Sequence, residues 1–379
     1  MVCFALLLCM NSVDLYAQLD APTRQLYQEQ VAAMADRAVS ALSPSSATGI
    51  LRVALGAGRL DLLTRYVERL KQAERDQLLS NLINDAAYYG EPTTVSTVLQ
   101  VIEDDAAKDE AAMLGVRSFA NAKRYDLAVA FVNSNLKPEH IAQALEHIAA
   151  IAFLLGEPEK FSEVYRLLPN PPKSAHEFAR ELEPRKRQIR ERRLTQEALG
   201  IDNIWSDLTV FHRLDGCEAP ANSTELERLL NSTKDVDTQL CLLFCWSAKA
   251  ARSESAASAM PYYEQFAAVF DSEKKRARFW LGERMFLAVV FSDAPYVKRI
   301  VEKSLAERVS DSRILVAGVL SGEEEAVASL VAATEPLSTT EVEHYVDALM
   351  QIGKLKSTIE LCKSEALRVQ LMAAALRGQ

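Results

Sequence analysis

The sequence predicts an all-α protein of stacked antiparallel helical hairpins, an α-solenoid organised as two arrays. Of its 379 residues, 49% are hydrophobic but only 7% are aromatic, a composition that suits packed helices better than sheets. Gly-Glu-Pro also separates two apolar segments twice, in "AYYGEPTTVSTVL" (87–99) and "FLLGEPEKFSEVY" (153–165). Similar breaks recur about every 33 residues, a period that indicates one helical hairpin per repeat.

Residues 1–17, "MVCFALLLCMNSVDLYA", predict a secretory signal peptide. The apolar run Val2 to Met10 is much shorter than the roughly 20 residues that a membrane-spanning helix needs. Ala17 supplies a small residue for cleavage, although no Lys or Arg precedes the run. We therefore expect a periplasmic or secreted protein that begins near Gln18 and has no transmembrane segment; a buried N-terminal helix is the alternative.

The first array is predicted at residues 18–172, where helix joints follow one another at regular spacing. A glycine after the last apolar turn provides a left-handed helix cap, and a proline two residues later fits the first turn of the next helix. Joints spaced 32, 33 and 33 residues apart are predicted at Gly58, Gly90, Lys123 and Gly156.

Residues 173–200 follow "PNPP" (169–172) and predict a charged helical connector that is kinked at Pro184 and stopped by Gly200. Between Pro184 and Leu194 it holds six Lys or Arg against one Glu, which could dock an acidic partner or nucleic acid. The alternative is a solvated helix with ion pairs between residues four apart. Those pairs would be Glu181 with Arg185, Glu183 with Arg187, and Arg193 with Glu197.

The second array is predicted at residues 201–379, with joints at Gly322 and Gly353 and a variant joint at Ser292. Signal removal would leave four cysteines, whose redox state the sequence does not decide: Cys217, Cys241, Cys245 and Cys362. Cys241 and Cys245 lie four residues apart on the apolar face of a predicted helix, which is typical of small buried side chains.

Three joints resemble the middle of a tetratricopeptide repeat. They are Gly58-Arg59-Leu60-Asp61, Lys123-Arg124-Tyr125-Asp126 with Ala128, and Gly353-Lys354-Leu355-Lys356. The resemblance covers residues 45–170 and 280–365, and ankyrin-like or HEAT-like arrays remain alternatives. It implies a right-handed superhelix whose concave face binds peptides or proteins. Candidate contacts for such a partner are Tyr88, Tyr89, Phe119 and Tyr125; packing between repeats is the alternative role for these aromatic side chains.

Motifs for catalysis, metal binding or cofactor binding are absent from the sequence. No two of the five histidines (His140, His147, His176, His212 and His344) lie four residues apart, as a helical zinc site would need. The net charge of −9 argues against nucleic acid as a partner. The leading hypothesis is therefore a non-catalytic scaffold for a protein or peptide partner. The alternative is a helical-toroid enzyme or enzyme subunit with an unrecognised carboxylate and histidine site. A deep cleft that holds such groups would favour the enzyme, and an open groove would favour the scaffold.

Overall fold

The computed structural model describes residues 19–376, except for 170, 172, 202, 207, 210–219, 254 and 274–278. All regular secondary structure in this part of the chain is α-helical. The predicted signal peptide, the expected new N-terminus at Gln18, His212 and Cys217 lie outside the described residues. None of the helices that the structure describes is both long and apolar enough to cross a membrane.

The helices of the first half of the chain are α1 (Ala21–Ser40), α2 (Pro44–Gly56), α3 (Leu60–Val67), α4 (Gln72–Tyr88), α5 (Pro92–Leu99), α6 (Asp105–Asn121), α7 (Tyr125–Asn135), α8 (Pro138–Leu154), α9 (Pro158–Tyr165) and α10 (Ala175–Leu199). Those of the second half are α11 (Asn203–Ser206), α12 (Ser223–Ser232), α13 (Val236–Ser253), α14 (Ala256–Ser272), α15 (Leu281–Val290), α16 (Ala294–Glu307), α17 (Ser312–Leu320), α18 (Glu324–Thr334), α19 (Thr339–Gln351), α20 (Leu355–Leu361) and α21 (Glu365–Ala375).

The described residues form two compact units. The first unit runs to Arg190 and also includes the residues from Ile359 onward, and the second unit comprises Glu191–Thr358. The boundaries fall inside α10 and α20. The sequence placed the whole C-terminal segment in one array with residues 201–358, whereas the structure assigns its last helix, α21, to the first unit.

Alternate helices pack against each other along the first unit. Helix α2 contacts α4, α4 contacts α6, and α6 contacts α8, while each also contacts the shorter helix that follows it. The interior is formed by aliphatic and aromatic side chains that recur along one face of each long helix, including Leu51, Leu82, Ile83, Val116, Phe119 and Ile148. The long helices therefore bury their apolar faces against neighbouring helices of the unit.

The joints of the first unit share one backbone conformation. Gly58, Gly90 and Gly156 have φ values of +82°, +79° and +80°, and Lys123 has +59°. At each joint the next residue donates its N–H to a carbonyl five positions earlier, as Glu157 does to Ala152 at 2.9 Å. This bond satisfies a carbonyl that would otherwise be left open at the end of the helix. The chain thus reverses direction over a few residues and starts the next helix at once.

Alanine at Gly156 is expected to destabilise the protein by about 1 kcal/mol, because a Cβ disfavours the left-handed conformation. A Cβ at this position would meet no atom within 4 Å, so the loss reports the backbone alone. The matched control is Gly56→Ala at the end of α2, which also has open space but is helical and should gain about 0.5 kcal/mol. Urea denaturation followed by circular dichroism measures both. Equal effects of the two substitutions would contradict the left-handed cap.

The C-terminal helix α21 is built into the first unit, where it contacts α1 and α2. Val369, Leu371 and Met372 on this helix are fully buried. Gln370 is also buried and donates its side-chain amide to the carbonyl of Ser46 in α2 at 3.0 Å. At the surface, Arg37 of α1 and Glu365 form an ion pair at 2.8 Å. The first unit is therefore assembled from two segments that are distant in sequence.

The second unit repeats the packing of alternate helices, since α13 contacts α15, α15 contacts α17, and α17 contacts α19. Its joints at Ser292, Gly322 and Gly353 have φ values of +55°, +84° and +69°. The N–H of Glu323 donates to the carbonyl of Gly318, five residues earlier, at 2.9 Å. The chemistry that links helices in the first unit therefore also operates here.

Candidate functional site

The four aromatic residues predicted to contact a partner occupy different environments. Tyr88 is 53% exposed, and Tyr89 beside it is half-buried between the Tyr88 ring and the guanidinium of Arg52, which lies 4.8 Å from its centroid. Phe119 and Tyr125 are buried among the helices. In this arrangement the last two cannot touch a partner, because their rings already pack the interior. Their role is therefore packing between helices, the alternative considered for these aromatic residues.

A groove of about 600 Å³ lies between α4 and α6 and is also lined by the loop that precedes α6. We call it the α4–α6 groove. Its apolar surface comes from Leu79, Ala107, Ala111, Leu114 and Ile102. Its polar surface comes from Gln72, Arg75, Asp76, Ser80, Glu103, Asp104, Glu110 and Arg117. All four carboxylates of this set belong to residues exposed to solvent, so the groove is open rather than a closed cleft.

Several polar groups of the groove already have local partners. Arg75 donates to the carbonyl of Val101 at 3.1 Å, which ties α4 to the loop. Asp76 accepts a bond from the amide of Gln72 at 2.7 Å, one turn earlier on the same helix. Asp104 caps α6 by accepting the backbone N–H of Ala107 at 2.8 Å. These contacts fix where the carboxylates stand while leaving them accessible to a ligand.

Glu110 and Arg117 lie seven residues apart on α6, and neither forms an ion pair with any residue that the structure describes. The positive charge of Arg117 reaches His147. The pKa of His147 is lowered mainly by its own burial and secondly by this charge. A groove wall that carries both an anion and a cation without partners is suited to recognising charged side chains.

The charged connector forms α10, whose N-terminal part rests on α9 through Phe178, which stacks on Phe161 with centroids 6.3 Å apart. Of the three ion pairs expected along it, only Arg193 with Glu197 forms among the described residues, at 3.0 Å. Glu181 instead pairs with Lys173 at 2.7 Å, because the preceding loop brings that amine alongside the helix. The Glu183–Arg187 pair does not form within 4 Å.

In the described part of the chain, no group of three or more His, Cys, Asp or Glu side chains could hold a metal ion. Cys241 is disulfide-bonded. Cys245, one turn further on, is a buried free thiol. Burial and, to a lesser extent, the charge of Glu283 raise its pKa to about 12. This thiol is therefore protonated at neutral pH and unreactive as a nucleophile.

Each unit contains a buried arginine that the sequence patterns did not predict. Arg284 of α15 is 3% exposed, and its guanidinium lies 3.6 Å from the centroid of the Tyr296 ring. It also donates to the hydroxyl of Tyr263 and lies 3.4 Å from Asp293, the N-cap of α16. The available signal is an arginine inside the apolar run "WLGERMFLAVV" (280–290). Arg52 in "ILRVALG" (50–56) is the counterpart in the first unit, where it pairs with Asp85 and Glu91.

No model of a known protein family matches the chain, and neither does any curated protein or solved structure.

Proposed function

We propose that this chain is an exported, non-catalytic scaffold that binds a protein or peptide partner in the α4–α6 groove. In this proposal the stacked hairpins form a tetratricopeptide-like α-solenoid. The observation that carries it is the groove itself, an open channel with an apolar surface and charged walls on one of the long-helix pairs that repeat along the first unit. Open grooves of this composition are typical of peptide recognition.

The solenoid part of the proposal is supported by the alternate packing of α2, α4, α6 and α8 and by the common geometry of the joints. Stability in such arrays comes from contacts between neighbouring repeats, which leaves the grooves between long helices free for ligands. The resemblance of the joints to tetratricopeptide repeats points in the same direction.

Binding is favoured over catalysis by the exposure of the groove. General acid–base catalysis relies on carboxylates whose proton affinity is tuned by burial or by close neighbours. Asp76, Glu103, Asp104 and Glu110 are all exposed to solvent, and no histidine lines the groove. Such side chains are suited to complementing the charges of a partner.

Export is supported by the apolar run at the N-terminus and by the disulfide at Cys241, since disulfides persist in oxidising compartments. N-terminal sequencing of the protein from its natural source tests it. An intact Met1 on reduced, cytosolic protein would rule export out.

The binding proposal is tested by exchanging the two unpaired charges of the groove wall in the double variant Glu110→Arg/Arg117→Glu. This exchange keeps the net charge but opposes every charged contact that a partner makes there, which costs several kcal/mol for close pairs. We expect the double variant to capture at least tenfold less of the specifically bound partner than the wild type does. The measurement is affinity capture from the native secreted fraction, quantified by mass spectrometry.

The matched control is Lys303→Glu/Glu307→Lys on α16, an exposed pair with 3.9 Å between its charged atoms. It exchanges the same kinds of charge far from the groove in sequence and should capture the partner as the wild type does. Circular dichroism is the check that both variants are folded. Equal capture by wild type and groove variant would contradict the α4–α6 groove as the binding site.

A further inference from the structure

We infer that the α4–α6 groove selects a partner segment bearing a lysine or arginine, whose cationic group lies between Asp76 and Asp104. This inference rests on the proposed binding function and specifies the chemistry that the groove recognises. It comes from comparing the groove with the corresponding positions of α6 and α8 in the same unit.

The helices α4, α6 and α8 begin in the same register. The N-cap residues of α4, α6 and α8 are Lys71, Asp104 and Lys137, which follow each other at intervals of 33 residues. Asp76 lies five residues after the N-cap of α4, and Asp109 lies five residues after that of α6. Asp76 and Asp104 therefore correspond to Asp109 and Lys137 one repeat later.

Between α6 and α8, these positions hold an ion pair. The Lys137 ammonium lies 2.7 Å from the Asp109 carboxylate and so links the start of α8 to α6. His140 Nε2 lies 3.7 Å from the same carboxylate. Hydrogen bonding to Asp109 raises the pKa of Lys137, which is the direction expected when a carboxylate stabilises the charged amine.

In the α4–α6 groove, the same positions hold two carboxylates and no cation. Asp104 stands where the neighbouring repeat has Lys137, and the small side chain of Ala107 stands where it has His140. These two positions of α6 therefore lack the cationic and the basic group that α8 carries. Glu103 and Glu110 add further negative charge to the lining. A ligand that supplies an ammonium or guanidinium would restore the charge pairing of the neighbouring repeat.

The chain's own arginines do not supply this cation. Arg75 is held by the carbonyl of Val101 and lies 3.9 Å from Glu103, and Arg117 is thirteen residues along the chain from Asp104. The apolar surface formed by Leu79, Ala111 and Leu114 can accept the methylene stem of a lysine or arginine while its charged end reaches the carboxylates. The occupant is therefore a basic segment of a partner protein.

The test uses a phage-displayed library of random dodecapeptides selected on the full-length protein. We expect the selected peptides to share a lysine or arginine at one position. Replacing that residue with glutamine should weaken the dissociation constant at least tenfold in fluorescence polarisation with the labelled peptide. The protein variant Asp76→Lys places an ammonium in the groove and should weaken binding of the basic peptide by a similar factor.

The control is Glu29→Lys on α1, because Glu29 is also an exposed carboxylate that accepts a bond from a glutamine one turn earlier, at 2.9 Å. It makes the same charge change outside the groove and should bind the peptides like the wild type. Peptides that bind in the groove but tolerate the change to glutamine would overturn the inference and leave the proposed function standing. Selection of no peptide that is sensitive to Asp76→Lys would overturn both.

Discussion

Removal of residues 363–379 should unfold most of the first unit, because α21 contributes a row of buried side chains against α1 and α2. Five buried side chains of the removed segment are large and apolar: Leu367, Val369, Leu371, Met372 and Leu376. At about 1.5–3 kcal/mol for each buried side chain, their loss is on the order of 10 kcal/mol, comparable with the whole stability of a typical domain. Hydrogen exchange should show rapid labelling of residues 21–56.

A point variant tests the same packing without truncation. Leu371 is fully buried, so Leu371→Ala is expected to cost about 2–5 kcal/mol through lost contacts and a cavity. Leu361, ten residues earlier and 79% exposed, provides the control, and Leu361→Ala should change stability by less than about 0.5 kcal/mol. Protection of α1 and α2 that survives the truncation would show that α21 is not part of their core.

Substitution of Arg284 by methionine is expected to destabilise the second unit by about 3 kcal/mol, because it leaves Asp293 and the Tyr263 hydroxyl without their cationic partner. Methionine keeps much of the volume between the Tyr263 and Tyr296 rings, so the loss reports charge and hydrogen bonding more than packing. Thermal and urea denaturation measure the change.

The double variant Arg284→Met/Asp293→Asn separates these contributions. Asparagine can still cap α16, as Asp293 does by accepting the N–H of Tyr296 at 3.2 Å, but it carries no charge. The second change removes the carboxylate charge that Arg284→Met leaves uncompensated. It should therefore recover a substantial part of the lost stability. Strictly additive losses would indicate that the carboxylate and the guanidinium do not stabilise each other.

Local features of the fold were accessible from the sequence because they depend on neighbouring residues. The left-handed conformation at Gly58, Gly90 and Gly156 follows from glycine chemistry, and even Lys123 was located by the 33-residue spacing. Long-range features were not accessible. The apolar stripe of α21 would suit any neighbouring helix, so nothing in its letters specifies α1 and α2.

The candidate site shows the same division. The sequence offers aromatic side chains as candidate partner contacts, but Phe119 and Tyr125 are buried in the interior. Asp76 and Asp104 look like ordinary surface acids until the register of α4, α6 and α8 sets them against Asp109 and Lys137. The informative signal was a change of charge sign between the N-caps of α6 and α8, which becomes visible only when the helices are aligned by their start positions.

The contact of α21 with α1 and α2 also affects how the protein is made. Helix α2 ends at Gly56 and α21 begins at Glu365, so synthesis at 5–20 residues per second separates them by roughly 15–60 s. During that interval the apolar side chains of α1 and α2 that α21 covers have no permanent neighbour. The first unit therefore cannot complete its core until α21 has been synthesised. Until then, the apolar surfaces of α1 and α2 that α21 covers are potential binding sites for chaperones and for other nascent chains.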